Sequence, residues 1–190
     1  MPRKSDAREK FVRTAARLFQ EQGYSATGLT QIIEASGAPK GSFYFHFPEG
    51  KEQLAVEAVT VAGTTGEALL RELAASTPDP ADFVRAYAAG QARTLERSGY
   101  RQGCPIATIT LEMAADSEPI RRAADHALAS WTQVLADVLR TAGHPSPDAL
   151  ARHAIAAIEG ALLLARARHS PEPLTETADL LAALITAQPR

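Results

Sequence analysis

Proline-led start signals recur along this chain at helix-length intervals, and no run of alternating β-branched residues longer than four lies between them. Asp79-Pro80, Cys104-Pro105, Glu118-Pro119, Ser146-Pro147-Asp148 and Ser170-Pro171 each put a proline where a helix can begin without losing a backbone donor. Gly23, Gly37, Gly99 and Gly143 stand where such helices would stop. Strands that bury one face need period-two alternation, which this pattern denies. The expected fold is all-α, with about nine helices: a three-helix head followed by a helical body.

Helical spacing of Phe11, Ala15, Leu18 and Phe19 sets a first helix, capped by Ser5 and closed by Gly23. A second short helix runs from about Gly28 to Ala35, with Thr27 as its cap. A third starts near Pro39 and ends at Phe47-Pro48, and a long fourth runs from about Gly50 to Leu73. Residues 1–50 then form one domain and 51–190 another. The longest apolar run, Ile155 to Ala165, is broken by Glu159 and Gly160, far short of the roughly 18–20 residues a membrane span needs. The single cysteine, Cys104, excludes an internal disulfide and fits a reducing compartment. With no apolar signal core near the N-terminus, a cytoplasmic protein without membrane contact is expected.

Charge is distributed unevenly. Residues 1–51 hold eight Lys/Arg (Arg3, Lys4, Arg8, Lys10, Arg13, Arg17, Lys40, Lys51) against five acids, a surplus of +3, while the whole chain carries −2. A basic head on an acidic body suits a phosphate-binding module joined to a domain that does not bind phosphate. Within that head, residues 27–47 give two short helices joined by a tight turn at Gly37, the plan of a helix-turn-helix. Leu29, Ile32 and Ile33 point inward with Phe11, Leu18 and Phe19, and Phe43 and Phe47 anchor the second helix from beneath. Lys40, Gly41, Ser42, Tyr44 and His46 are left to face a DNA major groove.

At this point the stretch resembles the TetR family of bacterial repressors, on Gly23-Tyr24, Thr27, Ile32, Ser36-Gly37, Tyr44, His46-Phe47 and Lys51, over about residues 5–54. The resemblance implies phosphate contacts from Thr27, Tyr44, His46 and Lys51, and approach to base edges by Pro39, Lys40 and Gly41. Two positions depart from the family pattern: Gly28 replaces a frequent hydroxyl, and Gly41 offers no side chain. Gly103-Cys104-Pro105-Ile106 through Leu111-Glu112, with Phe47 through Leu54, is similar to the LmrA/YxaF-like subgroup. That likeness implies a repressor of efflux or detoxification genes, released from DNA by planar aromatic compounds.

In the body, Ala124, Ala127, Trp131, Val134, Leu135 and Val138 share one helical face. Phe83, Tyr87, Cys104, Met113, Trp131 and Leu135 are candidates to line a site for a flat apolar inducer, with Glu112 or His126 as polar anchors. The alternative for each is simple core packing, and for Cys104 a buried residue ahead of a helix start rather than a reactive thiol. Ala154, Ala157, Ile158, Ala161 and Leu162, with Leu181, Leu184 and Ile185, form apolar stripes on the last two helices. A homodimer built on them would match a palindromic double-stranded operator. The five histidines lack metal-ligand spacing, and no nucleophile elbow or phosphate loop is present, so neither metal, cofactor nor catalytic residue is expected. A helical interaction module that binds no DNA is the competing reading.

Overall fold

The structure, a computed structural model, describes residues 4–187, so Arg3 of the basic head lies outside them. Nine α-helices run through the described residues: α1 (Lys4–Gln22), α2 (Leu29–Ser36), α3 (Phe43–His46), α4 (Lys51–Ser76), α5 (Pro80–Arg97), α6 (Pro105–Met113), α7 (Glu118–Thr141), α8 (Pro147–Arg168) and α9 (Glu172–Ala187). No strand occurs among them. Asp79 caps α5 as its sequence promises, its Oδ1 accepting the Asp82 N–H at 2.9 Å. Gly37 closes α2 at φ 63°, a left-handed turn that glycine adopts without strain.

Several boundaries differ from those expected. Ser5 lies inside α1 rather than ahead of it. Gly28, not Thr27, occupies the N-cap of α2, and no side chain caps that helix. Pro39 precedes a single 3-10 turn over Lys40–Ser42, which runs directly into α3. α4 continues past Leu73 to Ser76.

Two compact units partition the chain. The first comprises the residues up to Thr64 together with Pro105–Ala127. It therefore extends past residue 50, taking in the first half of α4, α6 and the start of α7. Its centre is a knot of three buried rings: Phe11 meets Phe43 edge-on at 5.3 Å and Phe47 at 6.2 Å, while Phe43 and Phe47 stack at 5.4 Å. Ile32, Phe19 and Leu54 complete this core. The inward roles assigned to Phe43 and Phe47 follow from their spacing, one helical turn apart.

The second unit comprises Thr65–Cys104 and the residues from Leu128 onward. Here α5 packs on α9, and α8 lies against both. Arg85 on α5 is tied to Asp179 on α9 at 3.0 Å. Trp131 is buried, its ring laid on the backbone of α4 at Gly66, where an added Cβ would fall 2.5 Å from the ring. Gly66→Ala is expected to destabilise the protein by about 1–3 kcal/mol, since the indole must shift. Gly90→Ala, which meets only an ordinary contact with Arg93, should gain about 0.5–1 kcal/mol from helix propensity. Urea unfolding of both variants checks the contrast, and equal midpoints would refute the close approach.

Candidate nucleic-acid interface

The second helix of the motif presents its residues as a surface. Pro39, Lys40 and Gly41 are exposed, and Tyr44 and Phe45 stand 64% and 69% exposed over the buried Phe43 and Phe47. Ser42 is half-buried, its hydroxyl donating to the Pro39 carbonyl at 2.7 Å. His46 is also half-buried, its ring 5.2 Å from that of Phe45. Phe45 was missed from sequence because an aromatic beside two others reads as core. Helix geometry decides otherwise: with Phe43 and Phe47 inward, the residue between them in sequence falls on the opposite side of the helix.

Charge in the head is largely consumed locally. Arg8 pairs with Glu57 at 2.6 Å, Lys10 with Asp6 at 2.9 Å and Arg17 with Glu21 at 3.1 Å. Lys40 makes no ion pair with any described residue, so its ammonium is open to a phosphate. A further feature went unread: α2 begins at Gly28 without a side-chain cap, so no side-chain oxygen satisfies its first N–H groups. The signal was present in the sequence, since Gly28 carries no capping oxygen.

Two of the expected phosphate ligands are turned inward. Thr27 is fully buried, and its hydroxyl donates to the Gly23 carbonyl at 2.6 Å. Its backbone N–H is also engaged, by the Tyr24 carbonyl at 3.1 Å. The Lys51 ammonium donates to the Tyr24 carbonyl at 2.6 Å and sits 3.9 Å above the Tyr24 ring. Partial burial lowers its pKa, against the opposing pull of the Glu112 charge. Both residues thus brace the loop after α1 through internal hydrogen bonds.

The same loop is gripped by a residue from far along the chain. Glu112 on α6 accepts the backbone N–H of Tyr24 at 3.1 Å and of Ser25 at 2.7 Å. Gly23 makes this approach possible in two ways. Its φ of +86° is open to glycine, and a Cβ there would lie 2.0 Å from a Glu112 carboxyl oxygen. Glu112 therefore belongs to the head rather than to a ligand site as expected, because both its oxygens are committed to backbone donors. Burial pushes its carboxyl up, but the donors from Ser25 and Tyr24 and the Lys51 charge outweigh this and hold it below the ordinary value.

The other inducer-site candidates divide between the two units. Phe83, Cys104, Trp131 and Leu135 are buried in the second unit, where the Tyr87 hydroxyl accepts a hydrogen bond from Gln91 at 3.1 Å. Met113 is half-buried in the first unit. His126 is exposed on α7, so it does not serve as a buried anchor. Glu159 was overlooked, although its interruption of the apolar run from Ile155 was the visible signal. Its Oε1 is sealed from solvent without a hydrogen-bond partner.

The apolar stripes of α8 and α9 also face differently from expectation. Ala154, Ile158, Ala161, Leu162 and Leu181 are buried inside the subunit, where α5, α8 and α9 pack together. Ala157 and Ile185 are half-buried. Leu184, expected at the interface, is exposed, and it is joined by Leu163, Leu164 and Leu180, the four from 49% to 66% accessible. Ala154 and Ala161 let α8 pack closely within the subunit, beside the buried Ile158 and Leu162.

A carboxyl with a depressed folded-state pKa contributes stability above its unfolded pKa and loses it as pH falls through the folded value. The thermal midpoint should therefore drop on acidification below the ordinary carboxylate range, and Glu112→Gln should flatten part of that dependence. Circular dichroism melts of both proteins over an acid series test this. Parallel pH profiles would show that the Glu112 hydrogen bonds carry no weight.

Comparison with known proteins agrees with this geometry. Residues 11–58 match the family described as bacterial regulatory proteins, tetR family, and residues 80–180 match the C-terminal domain of LmrA/YxaF-like transcriptional regulators. The chain is 37% identical over 187 residues to the uncharacterized HTH-type transcriptional regulator YxaF of Bacillus subtilis, covering 97% of this chain and 98% of that one. It is 38% identical over 171 residues to the regulator LmrA of the same organism, covering 89% and 91%. The crystal structure of a regulatory protein TetR from Rhodobacter sphaeroides superposes with a TM-score of 0.84 at 27% identity, covering 93% of this chain and 97% of that one. These relatives are transcriptional regulators and not enzymes. With an exposed helix-turn-helix surface and matches over both halves, the chain belongs to the TetR family of bacterial transcriptional regulators, in its LmrA/YxaF-like branch.

Proposed function

We propose that this protein is a cytoplasmic, homodimeric repressor that binds a palindromic double-stranded operator and releases it on taking up a small, planar, largely apolar molecule. The observation that carries the DNA reading is the outward face of α3, with Tyr44 and Phe45 exposed over a buried phenylalanine floor and Lys40 unpaired beside them. Residues 1–50 carry the reading surface, braced by Lys51 and Glu112, and the rest of 51–190 supplies the sensing and dimerising body. Lys40, Tyr44, His46 and the uncapped start of α2 take phosphates, while Pro39, Gly41, Ser42 and Phe45 meet base edges. A phenyl ring suits the thymine methyl group. Thr27 and Lys51 act indirectly, by fixing the loop from which α2 departs.

Dimerisation uses the exposed leucines Leu163, Leu164, Leu180 and Leu184, with Ala157 and Ile185 at their margin. Four large apolar side chains on two adjacent helices are more than an isolated subunit normally shows to water. A two-fold dimer sets its reading heads about one DNA turn apart, as a palindrome requires. In the body, Phe83, Tyr87, Trp131 and Leu135 offer the flat apolar flanks for an inducer. α4 contributes to both compact units and is the lever between them. Release requires the inducer to favour the body state that holds the heads out of register.

Fluorescence anisotropy on overlapping duplexes from the region upstream of its own gene, at two salt concentrations, tests this reading. Tight, salt-sensitive binding to one palindromic fragment is expected. Lys40→Ala should weaken it on every sequence and reduce the salt slope by about one. Phe45→Ala should cost about 1–3 kcal/mol at one base position. A folded dimer that binds no duplex would instead favour a protein-interaction module.

A further inference from the structure

Glu159 lies midway along α8, between the buried Ile155, Ile158 and Leu162. A leucine there would complete the apolar stripe with no desolvation cost. A carboxyl stands there instead, with Oε1 buried and unpartnered. An unsatisfied buried acceptor costs about 1–3 kcal/mol, and more when charged. Around it stand three other polar side chains of the same unit. The Cys104 thiol donates to the carboxyl. Tyr87 feels the Glu159 charge, and its hydroxyl oxygen is occupied by Gln91 at 3.1 Å.

Counting donors and acceptors shows what remains. The Gln91 amide spends an N–H on Tyr87, and Cys104 spends its S–H on Glu159. That leaves the Tyr87 O–H and the second Gln91 N–H as donors, and the Gln91 carbonyl oxygen and the Glu159 Oε1 as acceptors, with Oε1 the buried atom that has no partner. No described lysine, arginine or histidine pairs with this carboxyl. Burial accordingly raises its pKa, with the thiol hydrogen bond only partly offsetting the effect. A protonated nitrogen arriving here would satisfy the orphaned oxygen and neutralise the charge together, whereas a carboxylate would meet a second one without a cation.

We propose that Glu159, with Tyr87 and Gln91, forms the polar end of the inducer site and selects a flat organic cation bearing an N–H donor. This rests on the reading that the body senses a small molecule. It narrows that reading from a planar apolar compound to one with an apolar body and a basic nitrogen.

Two probes matched in size, naphthylmethylammonium and naphthoate, separate the outcomes when titrated calorimetrically into the full-length protein. The ammonium is expected to bind at least about tenfold more tightly than the carboxylate, as a charge-assisted hydrogen bond of about 1.5–3 kcal/mol implies. Glu159→Gln keeps the volume and should cut ammonium binding about tenfold or more, with no loss of thermal stability in the unliganded protein. Tyr87→Phe should weaken it severalfold. Preference for naphthoate, undiminished ammonium binding by E159Q, or no binding of the ammonium would each overturn this site. Naphthoate binding that E159Q leaves unchanged would do so while leaving small-molecule sensing intact. Operator release by any other compound class would uphold sensing independently.

Discussion

Two backbone N–H groups at the end of α1 point at one carboxylate, and the geometry of the reading head depends on that meeting. Tyr24 and Ser25 donate to Glu112, Lys51 holds the Tyr24 carbonyl, and Thr27 holds the Gly23 carbonyl. The loop of residues 23–27 therefore has its donors and acceptors bound from three directions before α2 begins. Such charge-assisted bonds are roughly twice as strong as neutral ones and demand narrow geometry. Since α2 leaves this loop and α3 packs beneath it on Phe11, the direction in which Tyr44 and Phe45 face is inherited from the clamp.

The clamp also assigns roles within the head. Hydroxyls and lysines near a helix-turn-helix invite reading as phosphate ligands, yet Thr27 and Lys51 make internal hydrogen bonds. The outward surface is smaller and less charged than the composition of the head suggests, because the arginines of α1 are paired with neighbouring acids. The motif's outward surface consists of one lysine without an ion pair, two aromatic rings and a helix start without a side-chain cap. That combination favours groove contacts and backbone N–H donors over a broad basic patch.

Local signals in the sequence carried the helices, the turn at Gly37 and the inward anchors Phe43 and Phe47, since capping chemistry and one-turn spacing act over a few residues. Roles that depend on distant partners were not legible. Glu112 meets a loop 87 and 88 residues earlier in the chain, and no periodicity on α6 announces it. Likewise, a helix with apolar residues on more than one face does not disclose which face its own subunit will use. Ala154, Ile158 and Leu162 went to α5 and α9, and Leu163 and Leu164 stayed outside. His126 likewise lies exposed on α7, which its spacing does not reveal.

Chain connectivity links the two polar features of the protein. Cys104, which donates to Glu159, immediately precedes α6, and α6 carries Glu112 one residue from its end. The most direct test of the clamp is amide hydrogen exchange at Tyr24 and Ser25. Both amides should be protected in the wild-type protein and exchange faster in Glu112→Ala, while those in the middle of α1, around Phe11, keep their protection. Rapid exchange at Tyr24 and Ser25 in the wild type, or protection unchanged by the substitution, would contradict the account.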